Sequence, residues 1–117
     1  MDEFIFNDCN VCINPNKING ELKKFRWEIT TANNGKGWIY GHDFSTPTSG
    51  WGCGPWKEDS EVFTTEHEAI EDAAKKGLNF FKREEKGGMK IPAQLFNELK
   101  NLCGKPKPVQ LTLFDFS

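Results

Sequence analysis

Long apolar runs are missing from this 117-residue sequence, and its opening Met1-Asp2-Glu3 is acidic with no hydrophobic stretch behind it. Neither a membrane span nor a secretory leader is expected, and the cytoplasm is the expected location. Histidine is scarce at two residues, and the four cysteines are irregularly placed, which argues against a disulfide scaffold and for reduced thiols. Glycine-rich phosphate loops and paired metal-binding carboxylate motifs are absent, so neither chemistry has a local signature. A strong charge of either sign is lacking too, at a net of −2. That near-balance conceals a split, with 8 Lys/Arg against 13 Asp/Glu in residues 1–81 and 7 against 3 in residues 82–108. A basic C-terminal third suits work near DNA, although a stretch of this size is commonly only a solvated face.

What is present suffices for one domain with a modest core, at 37% hydrophobic and 13% aromatic residues. Phe4-Ile5-Phe6 opens an Asn- and Pro-containing segment that runs to the turn dipeptide Asn19-Gly20. Phe25, Trp27 and Ile29 then alternate with Arg26, Glu28 and Thr30, the signature of a half-buried strand. The turn Asn33-Asn34-Gly35-Lys36-Gly37 returns the chain into Trp38–Phe44, where Trp38, Tyr40 and His42 share a face. Ser45 to Pro55 reads as a long loop, and Glu61–Thr64 as a brief further strand. Thr65-Glu66-His67-Glu68 has the form of a capping box, and the helix it starts carries Ala69, Ile70, Ala73, Ala74, Gly77, Leu78 and Phe81 on one face. Lys86-Gly87-Gly88 ends it; Pro92 opens a second helix striped with Leu95, Phe96, Leu99, Leu102 and Cys103, which Gly104 closes.

Strands first and helices after predict an α+β fold, an antiparallel sheet of three to four strands with two helices packed on one face and a flexible C-terminal tail. The expected division is an N-terminal arm or hairpin over 1–20, an α+β domain over 21–104, and a Pro/Lys-rich linker with a docking tail over 105–117. Phe25-Arg26-Trp27-Glu28-Ile29, Gly41-His42-Asp43-Phe44-Ser45 and the helix start together resemble small proteins of phages and mobile elements that have no assigned activity. That likeness supplies context and no mechanism.

Candidate chemistry in the body is sparse. Cys9-Asn10-Val11-Cys12 has the spacing of half a zinc knuckle, but its other half would have to come from scattered partners such as Cys53, Cys103, His42 or His67. No cofactor is expected, and the bland reading of Cys9 and Cys12 is two ordinary thiols. An enzyme would start from Cys53 as nucleophile, His42 as base and Asp43 or Glu61 as orienter, residue types that co-occur by chance, so no catalysis is expected. Aromatic residues offer more. The sheet residues Trp27, Trp38 and Tyr40, or Trp51 and Trp56 of the Gly50–Trp56 segment, are candidates to stack on single-stranded nucleic acid. The structural alternative for the loop pair is that both rings fold back over the end of the sheet.

The tail is the most specific signal. Lys105-Pro106-Lys107-Pro108 cannot continue a helix and leads into Val109–Phe116, an apolar-rich segment. Within it, Gln110-Leu111-Thr112-Leu113-Phe114 resembles, at every specified position, the pentapeptide by which bacterial polymerases, clamp loaders and mismatch-repair proteins bind the sliding clamp. The resemblance implies that Gln110 hydrogen-bonds the rim of a pocket on the clamp, that Leu113 and Phe114 fill its floor, and that Leu111 packs alongside. A C-terminal edge strand and a tail without a role are the competing readings of the same residues. The expected function is a non-catalytic adaptor or inhibitor in DNA replication or repair, with the clamp as partner, DNA as a second expected contact, and no membrane. A single-stranded nucleic-acid-binding domain and a zinc or Cys-dependent module are the alternatives.

Overall fold

Alternation along residues 25–33 is the pattern on which the sheet is assembled, because it gives one strand two faces of different chemistry. In the computed structural model, which describes residues 4–57 and 61–103, four strands are followed by two helices. They are β1 (Asn16–Leu22), β2 (Phe25–Asn33), β3 (Trp38–Ser45), β4 (Gly50–Cys53), α1 (Glu66–Lys86) and α2 (Ala93–Cys103). The sheet is antiparallel in the order β1-β2-β3-β4, so sheet neighbours are also chain neighbours. This is the α+β arrangement expected from the sequence.

Both helices lie on one face. Trp27 and Ile29 of β2 and Phe44 of β3 meet Ala73, Ala74, Phe80 and Phe81 of α1 and Leu95 and Leu99 of α2 in the main core. Phe80 was not on the face expected for α1, but helical spacing from Ala73 and Gly77 carries it there. On the opposite face Ala32, Ile39 and Cys12 form a small cluster, against which Phe4 and Phe6 of the N-terminal arm pack.

Helix ends follow the sequence closely. The Thr65 hydroxyl accepts from the Glu68 N–H at 3.1 Å, and the Glu68 carboxylate accepts from the Thr65 N–H at 3.2 Å, which is the expected capping box. At the other end Gly87 N–H donates to the Arg83 carbonyl, and Gly88 continues with φ 108°, a conformation suited to glycine. The expected cap at Gly104, the Lys105–Pro108 arm and the 109–116 segment lie outside the described residues.

Three expectations about the body change. Asn19-Gly20 is not a turn; it sits inside β1, with Gly20 opposite Trp27. The reversal comes later, at Lys23-Lys24, where Lys23 adopts φ 58°. A Cβ on Gly20 would collide with the Trp27 indole and the Glu98 carboxylate, so this glycine serves the packing of Trp27, whose Nε1 donates to Glu98 Oε1 at 2.8 Å. Tertiary packing thereby overrides local turn preference. β1 thus runs on both sides of residue 20.

The expected strand at Glu61–Thr64 shrinks to a single bridge between Phe63 and Trp38. The fourth strand lies instead within the expected loop, at Gly50–Cys53, because a tight Thr46–Ser49 turn sends the chain back along β3. There Thr46 N–H donates to the Ser49 carbonyl at 2.8 Å, and the Thr46 hydroxyl accepts from the Ser49 N–H at 3.0 Å.

After β4 the chain crosses directly over Gly41 of β3, where an added Cβ would lie 2.6 Å from the Cys53 carbonyl oxygen, the Gly54 carbonyl carbon and the Pro55 nitrogen. These are backbone atoms, which cannot rotate away. Gly41→Ala is therefore expected to destabilise the fold by roughly 1–3 kcal/mol, as overpacking does, read as a lower urea midpoint. A midpoint equal to that of the parent chain would show that the 53–55 crossing yields freely.

Candidate functional site

The register of β3 with β4 places Trp51 opposite Phe44 and Cys53 opposite His42, on the face that carries the helices. All of β4 is exposed, since it is the edge of the sheet. Trp51 is held on one side by three rings: His42 at 4.3 Å between centroids, Phe44 at 6.1 Å and Phe80 at 6.4 Å. The rest of the indole stays open, at 43% exposure.

α1 supplies the other wall. Lys76, Asn79 and Arg83 stand three and four residues apart, hence along one stripe of the helix, and with Trp51 they line a cleft of about 370 Å³. Lys76 Nζ also sits 5.0 Å above the Tyr40 ring, and the Tyr40 hydroxyl donates to Asp72 Oδ2 at 2.7 Å. Burial first, and then the Asp72 bond and charge, push the Tyr40 hydroxyl well above its ordinary range, so it remains a neutral donor.

His42 is almost fully buried and lies parallel to Phe44 at 4.8 Å. Burial lowers its pKa, Lys76 lowers it further, and the Trp51 backbone and Asp43 oppose the shift. Its Nε2 is 3.8 Å from the Cys53 sulfur, so the sequence pairing of these two residues is met in space. The third member is not. Asp43 points to the opposite face, where it binds Arg26 at 2.6 Å, and among the described residues His42 Nδ1 has no hydrogen-bond partner, Glu61 included.

The other sequence candidates scatter. Trp27 is only 5% exposed and Tyr40 is covered by α1, so the expectation that they offer stacking surfaces is corrected: a helix occupies the face they share. Trp38 is half-buried and meets Phe4 edge-on at 5.8 Å. Trp56 is exposed but pairs with Val11 of the arm, so the two loop tryptophans are tied to different parts of the fold. Cys9 is exposed at the tip of the arm's own turn, whereas Cys12 is buried against Ala32 and Ile39, with its thiol 3.4 Å from Asn14 Oδ1. Among the described residues no three of His, Cys, Asp and Glu converge to hold a metal ion. Gln110, Leu111, Leu113 and Phe114 lie outside the described residues.

Lys76, Asn79 and Arg83 were missed by sequence reasoning. Their spacing beside the apolar stripe of α1 was visible, but nothing local pointed to Trp51 as their neighbour.

A pH dependence follows from the burial of His42. Below about pH 6.5, the ordinary value of an imidazole, the unfolded chain takes up a proton that the folded chain resists, so stability falls as pH drops and levels off below the folded value. His42→Phe keeps a flat ring between Phe44 and Trp51 without the proton. Its urea midpoint is expected to fall less than the parent's between about pH 7 and about pH 5; equal falls would contradict the buried-imidazole account. No family model, curated protein sequence or solved structure matches the chain, so its residues and their geometry alone carry the functional reading.

Proposed function

We propose that this protein is a non-catalytic adaptor or inhibitor of DNA replication or repair that docks on the bacterial sliding clamp through Gln110, Leu111, Leu113 and Phe114. The observation that carries the reading is the pentapeptide Gln110-Leu111-Thr112-Leu113-Phe114 directly after the Lys/Pro arm. A short peptide of this composition gains affinity from a few apolar anchors and one amide that fixes register, and prolines before it reduce the chain entropy lost on binding. The Cys53–His42 pair stays outside this reading, since Asp43 is committed to Arg26 and Nδ1 has no orienting partner among the described residues.

Purified full-length protein is expected to bind purified bacterial clamp with a Kd on the order of micromolar, about −8 kcal/mol. Combined Gln110→Ala, Leu113→Ala and Phe114→Ala should weaken binding by roughly 100-fold or more, because the anchors carry most of the energy. Equal binding by the parent and the triple variant in a titration calorimeter would refute the proposal.

A further inference from the structure

Clamp docking leaves Trp51 and its cleft without a task. Three features of that cleft belong together. First, the indole is preorganised: His42, Phe44 and Phe80 back it, so a ligand meeting its open side does not have to order the ring. Second, the facing helix wall is cationic. Of the three α1 residues that line the cleft, Lys76 and Arg83 are cations and none is an acid, in a protein whose net charge is −2. The local acids are partly committed, Glu84 accepting from the Ser49 hydroxyl at 2.7 Å and Asp72 from Tyr40, while the exposed Arg83 makes no ion pair among the described residues. Third, the cleft of about 370 Å³ has the dimensions of a small-ligand site, which run from roughly 300 to 1,000 Å³.

An aromatic platform beside fixed cations suits a ligand with a flat, uncharged face and an anion a short distance away. We propose that the cleft between β4 and α1 binds single-stranded nucleic acid, with one base stacked on Trp51, the backbone phosphate held by Arg83 and Lys76, and Asn79 as an additional hydrogen-bonding group. A duplex does not fit this description, since its base faces are already stacked within the helix. Nothing lining the cleft selects one sugar, so the shared chemistry is an unpaired base next to a phosphodiester. The exposed edge of β4 also admits an extended peptide by strand addition, but such a partner gains nothing from the row of cations beside Trp51. The inference is independent of clamp docking, because no tail residue takes part.

The test is fluorescence anisotropy of labelled single-stranded DNA and RNA oligonucleotides of roughly 12 nucleotides, titrated with the full chain at several salt concentrations. Both are expected to bind, duplex DNA more weakly, and affinity should fall as salt rises. Trp51→Ala should weaken binding roughly tenfold, the loss of one base stack, with Trp51→Phe recovering most of it. Arg83→Ala should reduce the slope of log affinity against log salt by about 0.7, one phosphate contact on a single strand. Trp56→Ala and the triple tail variant should bind as the parent does, so failure of this inference is separable from failure of clamp docking. No oligonucleotide binding at low salt would overturn the proposal. So would parent-like binding by Trp51→Phe, Trp51→Ala and Arg83→Ala together, or an affinity indifferent to salt, which would assign the cleft to an uncharged or peptide ligand.

Discussion

Phe44 is the side chain through which the parts of this protein meet. It is completely buried, with His42 stacked parallel to its ring, Phe80 and Phe81 against it from α1, and Trp51 beside it from the edge strand. α1 reaches it only because Gly77 has no side chain, since a Cβ there would lie 2.8 Å from the Phe44 ring and 3.1 Å from Leu99. Close approach of a helix to a sheet is thus obtained with a small residue on the helix and a large one on the strand. The packing leaves no room for either element to slide.

That contact joins the core to the candidate site. Phe80 touches Phe44 on one side and Trp51 on the other, and His42 lies between Phe44 and Trp51. The indole at the surface is the outermost member of an aromatic stack rooted in the core, which explains how a residue on a four-residue edge strand holds a defined position. α1 contributes twice, with its apolar stripe directed at the sheet and its Lys76, Asn79 and Arg83 row at the rim of the same contact. The chemistry of the cleft depends on the packing beneath it.

Polar groups at half-buried positions are mostly paired across elements. Trp27 with Glu98, Tyr40 with Asp72, Thr31 with Glu66 and Ser49 with Glu84 each join the sheet or its turns to a helix. Each has a carboxylate acceptor, a kind of bond worth about 1.5–3 kcal/mol, and each fixes how a helix sits on the sheet. His42 Nδ1 and Arg26 Nε are the buried exceptions among the described residues.

Features that depend on neighbours in the chain were legible from residue order alone. The Thr65–Glu68 box, the alternation of β2, the apolar faces of both helices and the tail pentapeptide are of this kind, and together they are enough to name the α+β class. Features that depend on what lies across a sheet or beneath a helix were not. Asn19-Gly20 has the composition of a turn and became strand because Trp27 needs the space at Gly20; Gly50–Cys53 has the composition of a loop and became strand because β3 offered an open edge. The cleft belongs to the same group: Trp51 and Arg83 are far apart in sequence, and only the packing of α1 over Phe44 brings them to facing walls of one cleft. Local preference amounts to a few tenths of a kcal/mol to about 1 kcal/mol per residue, while burial of one large side chain is worth about 1.5–3 kcal/mol. At Gly20 the burial of Trp27 won, and at Gly50–Cys53, where every residue is exposed, pairing with β3 did.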